Sequence, residues 1–579
     1  MIVYTIRMPA PHTHLYHVSV VIDGLDGPHV DLALPAWTPG SYMIREFARH
    51  VQAFDAQAPD GTNLAWRKLT KDTWRVETGG AAQVTAHYQV YANDLTVRTS
   101  HLDGSHGYFN GATVFMYVPT RTGEPLRLNI VTPLGWQVST GLTPLAGDTP
   151  PQRHRFTAAD YDELLDCPVE CGTQRLLAFT VDDIPHQIAI WGHGNEDAAR
   201  LVADTKRIVE TQRDFFGGLP YRHYTFILHL TDGKNSGLEH RNSVTNQVDR
   251  WSFKPERSYE RFLSLTSHEF FHVWNVKRLR PAPLGPFNYQ VENYTRLLWL
   301  MEGGTSYYDE LLLVRAGLLR PERFLEALAE KIVRLQSQPG RQLQSVEQSS
   351  FDAWIKLYRP DEHSANSSIS YYLKGSLVCF LLDIKLRALT GGERSLDDVL
   401  RLLFARYPIS GPGIPEDAGV LAAVEEVAGE HSGAFRDFFA RFSAGTEELD
   451  YAGALATVGL TPRWLRHGPQ AWLGLSFKRE GERTLVAAVR ADGPSSAAGV
   501  YADDELLALD GWRVNEERLG ARLAERSPGT VVRLTLFRGD ALVELPVTLA
   551  EAPHDALELV PLAERSEAQQ RAYRAWLGL

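Results

Sequence analysis

The sequence is short of several things, and each shortage excludes something. Only three cysteines occur in 579 residues, Cys167, Cys171 and Cys379, so no disulfide framework is expected. Cys167 and Cys171 are spaced C-x3-C with no second ligand pair nearby; they read as two separate thiols or an incidental bridge rather than half of a metal site. No lysine and arginine cluster dominates and the net charge is −12, which does not suggest a nucleic-acid or anionic-membrane partner. No apolar run reaches the length of a membrane span. Met1–Arg7 lacks the basic segment and long apolar stretch of a signal peptide and reads as a first strand. A cytoplasmic location is expected from the sequence as given, with a periplasmic one open if a leader has been trimmed. No repeat period is evident.

What is present is ordinary globular material, 44% hydrophobic and 22% charged, in a chain too long for one core. Three textures follow one another. Residues 1–172 alternate apolar and polar positions in short runs, as in Leu15–Ile22 and Gln83–Tyr91, which predicts an antiparallel β domain of sandwich type. Residues 173–463 are mixed α/β up to about 258 and mainly helical from 259, with helices expected over 196–216, 321–336, 371–388 and 433–443 and a strand at Tyr224–Leu230. From 464 to 579 short strands return, and 566–579 reads as a final helix. The fold class is therefore multidomain α+β.

The richest stretch is Ser267-His268-Glu269-Phe270-Phe271-His272, an H-E-x-x-H within an apolar segment, 262–276, compatible with a helix. Positions i and i+4 project from one helix face. His268 and His272 can thus share one Zn²⁺, while Glu269 can act as general base on the water there. The bland alternative is an amphipathic helix with two partly buried histidines and a surface glutamate. A catalytic zinc needs a third protein ligand. Glu302 is the lone carboxylate of the apolar run 297–308, and a carboxylate buried there requires a cationic partner. The alternative is a helix-terminal glutamate exposed beside Gly303 and Gly304.

These residues resemble the glycyl aminopeptidase family of zinc metallopeptidases over nearly the whole chain. His268–Pro281 looks like that family's zinc helix and its exit, Trp299–Gly303 like the segment bearing its third ligand, and Trp37–Glu46 like part of its amino-terminal β domain. The resemblance implies a thermolysin-like catalytic domain, one Zn²⁺ per chain, and hydrolysis of peptides with a free amino end and a small first residue, glycine or alanine. It also implies two further roles. In Ser236-Gly237-Leu238-Glu239-His240, Glu239 stands where related aminopeptidases bind the substrate α-amino group; His240 replaces their asparagine. In Tyr371-Tyr372-Leu373-Lys374-Gly375, Tyr372 is in register with a phenol that stabilises the oxyanion, with Tyr371 the competitor one position away.

The region 466–553 resembles a PDZ domain. Leu473, Gly474 and Leu475 fall in its carboxylate-binding loop and would take a peptide C-terminus by strand addition. Asp503 stands where bacterial PDZ domains usually carry glycine, and an acidic residue tolerates such a turn. Two rival functions remain at this stage: a zinc endopeptidase using the same site, and a PDZ-bearing peptide-binding protein with a relic zinc site.

Overall fold

The computed structural model describes residues 1–147 and 150–579. They form two compact units. The first comprises Met1–Tyr294, Tyr308–Leu318 and Phe404–Ile414; the second comprises Thr295–Tyr307, Leu319–Leu403 and Pro415–Leu579.

The first unit begins with β structure, as the alternation predicts. Leu15–Asp23 is buried at every second residue and pairs antiparallel with Ile2–Arg7 and Gln83–Tyr91 inside a seven-stranded sheet. One pairing departs from the antiparallel expectation. Ile2–Arg7 runs parallel to Leu126–Val131, which requires a long connection, and the intervening strands supply it. A four-stranded sheet holds Gln137–Thr140, Val169–Gly172, His106–Phe109 and Ser100–Leu102, and a three-stranded one completes the region. Its core is rich in tyrosines whose hydroxyls donate to backbone carbonyls, Tyr4 to Met116 and Tyr88 to Val114, which satisfies the one polar atom each ring buries.

A five-stranded sheet follows, in the order Arg175–Val181, Ile184–Trp191, Tyr224–Thr231, Ser243–Asp249, Asn235–Glu239. Its three inner strands are parallel, and the helix Ala198–Phe216 makes the crossover between the first two of them. That helix starts two residues later than its sequence pattern suggests. The Asp197 side chain accepts from the N–H groups of Ala199 and Arg200 and so caps it. The last strand, Asn235–Glu239, returns antiparallel on Ser243–Asp249 and forms the sheet edge. Helix Glu256–Phe271 begins earlier than its apolar stripe and ends earlier too, with His272 at its C-cap. Beyond it Val276 takes φ of 101°, a rare conformation for a β-branched residue, and turns the chain away.

The second unit is helical and then β. Its helices include Leu298–Met301, Pro321–Gln336 and Tyr371–Leu389. Strands Leu475–Glu480, Arg483–Val489, Glu505–Leu509, Val531–Arg538 and Ala541–Thr548 form the main sheet of the carboxyl-terminal region. Asp503 has φ of 67° there, the left-handed turn expected of it. The final helix, Glu567–Leu577, opens with a Ser566/Gln569 capping box. It buries Trp576, whose indole N–H donates to the Tyr307 hydroxyl at 2.8 Å. All three cysteines are free and buried, so Cys167 and Cys171 are separate thiols. Among the described residues no helix is long and apolar enough to cross a membrane.

Candidate active site

His268 lies in the last turn of helix Glu256–Phe271 and His272 caps it. Their Nε2 atoms stand 3.2 Å apart. The outer nitrogens decide what that contact is. His272 Nδ1 lies 2.7 Å from the Asn275 carbonyl and His268 Nδ1 3.2 Å from a carboxylate oxygen of Asp309. A carbonyl or carboxylate oxygen only accepts, so each Nδ1 carries the proton and each neutral ring presents a lone pair at Nε2. Two lone pairs at that distance repel unless a cation sits between them. Two imidazoles on a tetrahedral zinc with Zn–N bonds of about 2.0–2.1 Å stand about 3.3 Å apart, so the pair fits zinc. Asp309 and the Asn275 carbonyl are the outer partners that orient such ligands.

Glu269 lies against the sheet edge. A Cβ on Gly237 would fall 2.2 Å from its Oε1, so only glycine lets helix and strand approach this closely. Two residues along the same strand, Glu239 is 4% exposed. Glu239, Glu269 and His272 each offer a ligand atom within 4.8 Å of the others. Among the described residues Glu239 Oε1 accepts no hydrogen bond. Its nearest cation is Lys277, with Nζ at 3.9 Å. Lys277 in turn donates to Asp166 at 2.8 Å. Burial works against ionisation of Asp166, but the Lys277 charge and the His240 hydrogen bond outweigh it and hold the carboxyl well below the usual range. His240 Nδ1 lies 3.2 Å from the same Asp166 oxygen; the histidine in place of asparagine thus serves Asp166. The Trp37–Tyr42 turn closes over this corner. A Cβ on Gly40 would come within 2.7 and 2.8 Å of the two Glu239 oxygens, and the Trp37 indole donates to the Asn288 carbonyl.

The second unit holds Glu302 and Tyr372. Glu302 is 2% exposed, not the exposed helix-end glutamate that was the alternative. Two glycines fix the local packing. A Cβ on Gly303 would meet Gly375 backbone at 2.7 Å, and one on Gly375 would meet the Trp299 carbonyl at 2.6 Å. Tyr372 sits in the first turn of its helix, with its hydroxyl 3.5 Å from that of Tyr358. Burial first, and then the Glu302 charge, push the Tyr372 phenol well above its ordinary pKa, so it stays a donor. Tyr371 is wholly buried and stacked on Tyr372 with ring centroids 4.7 Å apart.

In the carboxyl-terminal region Leu475–Glu480 is a sheet edge. Gly474 ahead of it has φ of 77°, and a Cβ there would meet Gly493 Cα at 2.9 Å. The Leu473 carbonyl accepts from the Ser495 N–H.

Asp309, the Asn275 carbonyl and the Asp166–Lys277 pair escaped sequence reasoning. Asp309 carries the one usable signal, an acid directly after the apolar run that holds Glu302.

Family models match three stretches of the chain. The Peptidase M61 N-terminal domain covers residues 3–173, M61 glycyl aminopeptidase 261–378 and a PDZ domain 471–549. The crystal structure of an aminopeptidase N family protein from Idiomarina loihiensis is 31% identical, with a TM-score of 0.92 over 100% of both chains. An M1 zinc metallopeptidase from Deinococcus radiodurans is 13% identical, with a TM-score of 0.49 over 76% of this chain and 92% of that one, too distant to bear on the chemistry. Probable periplasmic serine endoproteases, DegP-like, from Brucella suis and Brucella abortus are 36% identical over 86 residues, which is 15% of this chain and 16% of their own length.

Proposed function

Because the chain belongs to the M61 glycyl aminopeptidase family, a family of peptidases, we propose that it is a zinc-dependent aminopeptidase that removes small first residues, glycine and alanine, from peptides. The observation that carries the metal is the 3.2 Å approach of the His268 and His272 Nε2 atoms, each with its outer nitrogen already committed as a donor. Glu302 would supply the third ligand that a catalytic zinc needs, as the family resemblance implies. Zinc held there would acidify a water molecule and polarise the scissile carbonyl.

The protein residues do the rest. Glu239 pairs with the substrate ammonium; its buried oxygen, which accepts no hydrogen bond among the described residues, supports that role. Glu269 takes a proton from the attacking water and hands it to the leaving amine. The Tyr372 hydroxyl donates to the oxygen on which negative charge develops. The turn packed on Glu239 at Gly40 supports a small first residue. At the PDZ-like region, the loop Leu473–Leu475 takes a peptide C-terminus, which would add as a strand beside Leu475–Glu480.

Hydrolysis of a panel of aminoacyl anilides tests the proposal. Glycyl and alanyl substrates should be cleaved, chelator should abolish cleavage, and the N-acetylated counterparts should be inert. Efficient cleavage of the blocked substrates would refute the aminopeptidase reading.

A further inference from the structure

One cluster of titratable side chains takes no part in the proposed catalysis. It lies on the hairpin formed by Ser100–Leu102 and His106–Phe109. His101 Nδ1 is 3.0 Å from His106 Nε2. Asp103, in the turn between the strands, completes a group whose ligand atoms all lie within 4.8 Å of one another. Behind this group His106 Nδ1 lies 2.9 Å from Glu170 Oε1, and the other Glu170 oxygen lies 2.9 Å from His229 Nε2. The side chains of His106, Glu170 and His229 are 0% exposed.

We propose that His101, Asp103 and His106 form a second metal site, for a divalent transition ion such as Zn²⁺, with Glu170 as the carboxylate that orients His106. The hydrogen-bond inventory comes first. An ionised carboxylate only accepts, so His106 donates to Glu170 through Nδ1 and His229 through Nε2. In a neutral His106 the Nε2 lone pair then faces His101. Two nitrogen donors on one ion at bonds of about 2.1 Å stand about 3.4 Å apart at the tetrahedral angle and about 3.0 Å apart at 90°, so the 3.0 Å separation fits an ion of five- or six-coordinate geometry.

The second layer comes next. Glu170 on the Nδ1 side of His106 and an ion on its Nε2 side would make a carboxylate–histidine–metal arrangement, and the other Glu170 oxygen is held by His229 Nε2.

The ligands are also prepared. Asp103 Oδ1 accepts from the Ser105 N–H and hydroxyl, both at 2.7 Å, and from the His106 N–H at 3.1 Å, which fixes the carboxylate in the turn. His101 and Asp103 are only half-buried, so an ion has a way in from solvent. Trp191 stacks on the His106 ring with centroids 3.8 Å apart and seals the inner face. The nearby hydroxyls of Tyr16 and Tyr108 donate to backbone carbonyls. No general base stands beside the site among the described residues, so its ion would hold the hairpin to strands Val169–Gly172 and Tyr224–Thr231 rather than act on a substrate.

Equilibrium dialysis of untagged full-length protein against micromolar free Zn²⁺, followed by metal analysis, tests the site. A His268→Ala/His272→Ala variant should keep one zinc per chain. Adding Asp103→Asn, which retains the Oδ1 acceptor of the turn, or His101→Ala should remove it. If the double variant does not fold, wild type should hold two zincs per chain and Asp103→Asn one. A folded double variant without zinc would overturn the proposal; so would zinc that survives both hairpin substitutions. Failure of the aminopeptidase reading would appear separately, as wild type that binds zinc on the hairpin yet cleaves no anilide.

Discussion

Two histidine pairs in the first unit share a geometry and differ in everything around it. His268 and His272 hold their facing nitrogens 3.2 Å apart, and His101 and His106 theirs 3.0 Å apart. Each pair rests an outer nitrogen on a carboxylate, Asp309 in one case and Glu170 in the other. Beside the helical pair stand two buried glutamates, one of them with an oxygen that accepts no hydrogen bond among the described residues. Beside the hairpin pair stand a stacked indole and phenols already bonded to carbonyls. Ligand spacing therefore says where an ion fits. The second layer of side chains says whether anything can react there.

Removing the base should separate the pairs most. Glu269→Gln should lower kcat for a glycyl anilide by about 10³-fold with the zinc content unchanged. Steady-state kinetics beside metal analysis would read both, and retained activity would break the comparison. Next, Glu239→Ala should cost about 10²-fold in kcat/KM on free-amine substrates, the loss of one charge-assisted contact to the ammonium. An equal loss in binding of N-acetylated analogues would show a general disruption instead. The outer carboxylates should then reveal what the pairs have in common. Asp309→Asn should weaken zinc at the helical pair by about 10- to 100-fold, and Glu170→Gln should do the same at the hairpin, both measured by competition with a chelator.

His186 supplies a third case, a histidine with ordinary satisfied partners. It lies beside the Ile184 carbonyl and the Tyr221 hydroxyl and stacks on Phe179. Burial lowers its pKa to about 4. Below the unfolded pKa of about 6.5 the unfolded chain takes up a proton that the folded chain refuses until about pH 4. Stability should therefore fall as pH drops through that window, by at most about 3 kcal/mol. Chemical denaturation of wild type and His186→Gln at several pH values would show it as a flatter profile in the variant.

The helical pair was legible because helix periodicity carries positions i and i+4 onto one face, and Glu302 because it interrupts an apolar run. Glu239 and Tyr372 were reached only by resemblance; nothing local in a strand edge or a helix start announces a binding role. The carboxylate and histidine behind the hairpin could not be read at all. His106, Glu170 and His229 come from three strands that only the tertiary fold brings together. Asn275 contributes through its backbone carbonyl, which any residue type would supply. The helix bounds shifted where caps outranked apolar pattern, at Asp197 and again at His272.

Gly237 has a consequence for where a peptide would be cut. Glu269, the proposed general base, packs on that glycine, and Glu239, the proposed amine anchor, stands two residues further along the same strand, on the same face of the pleat and about 7 Å away. A missing methyl group thus ties both ends of the reaction to one backbone segment. The proposed enzyme would count off a single residue with the pleat of its own sheet edge, as a gauge with a fixed jaw. A substitution at position 237 would then change where the chain is cut before it changed which side chain is accepted.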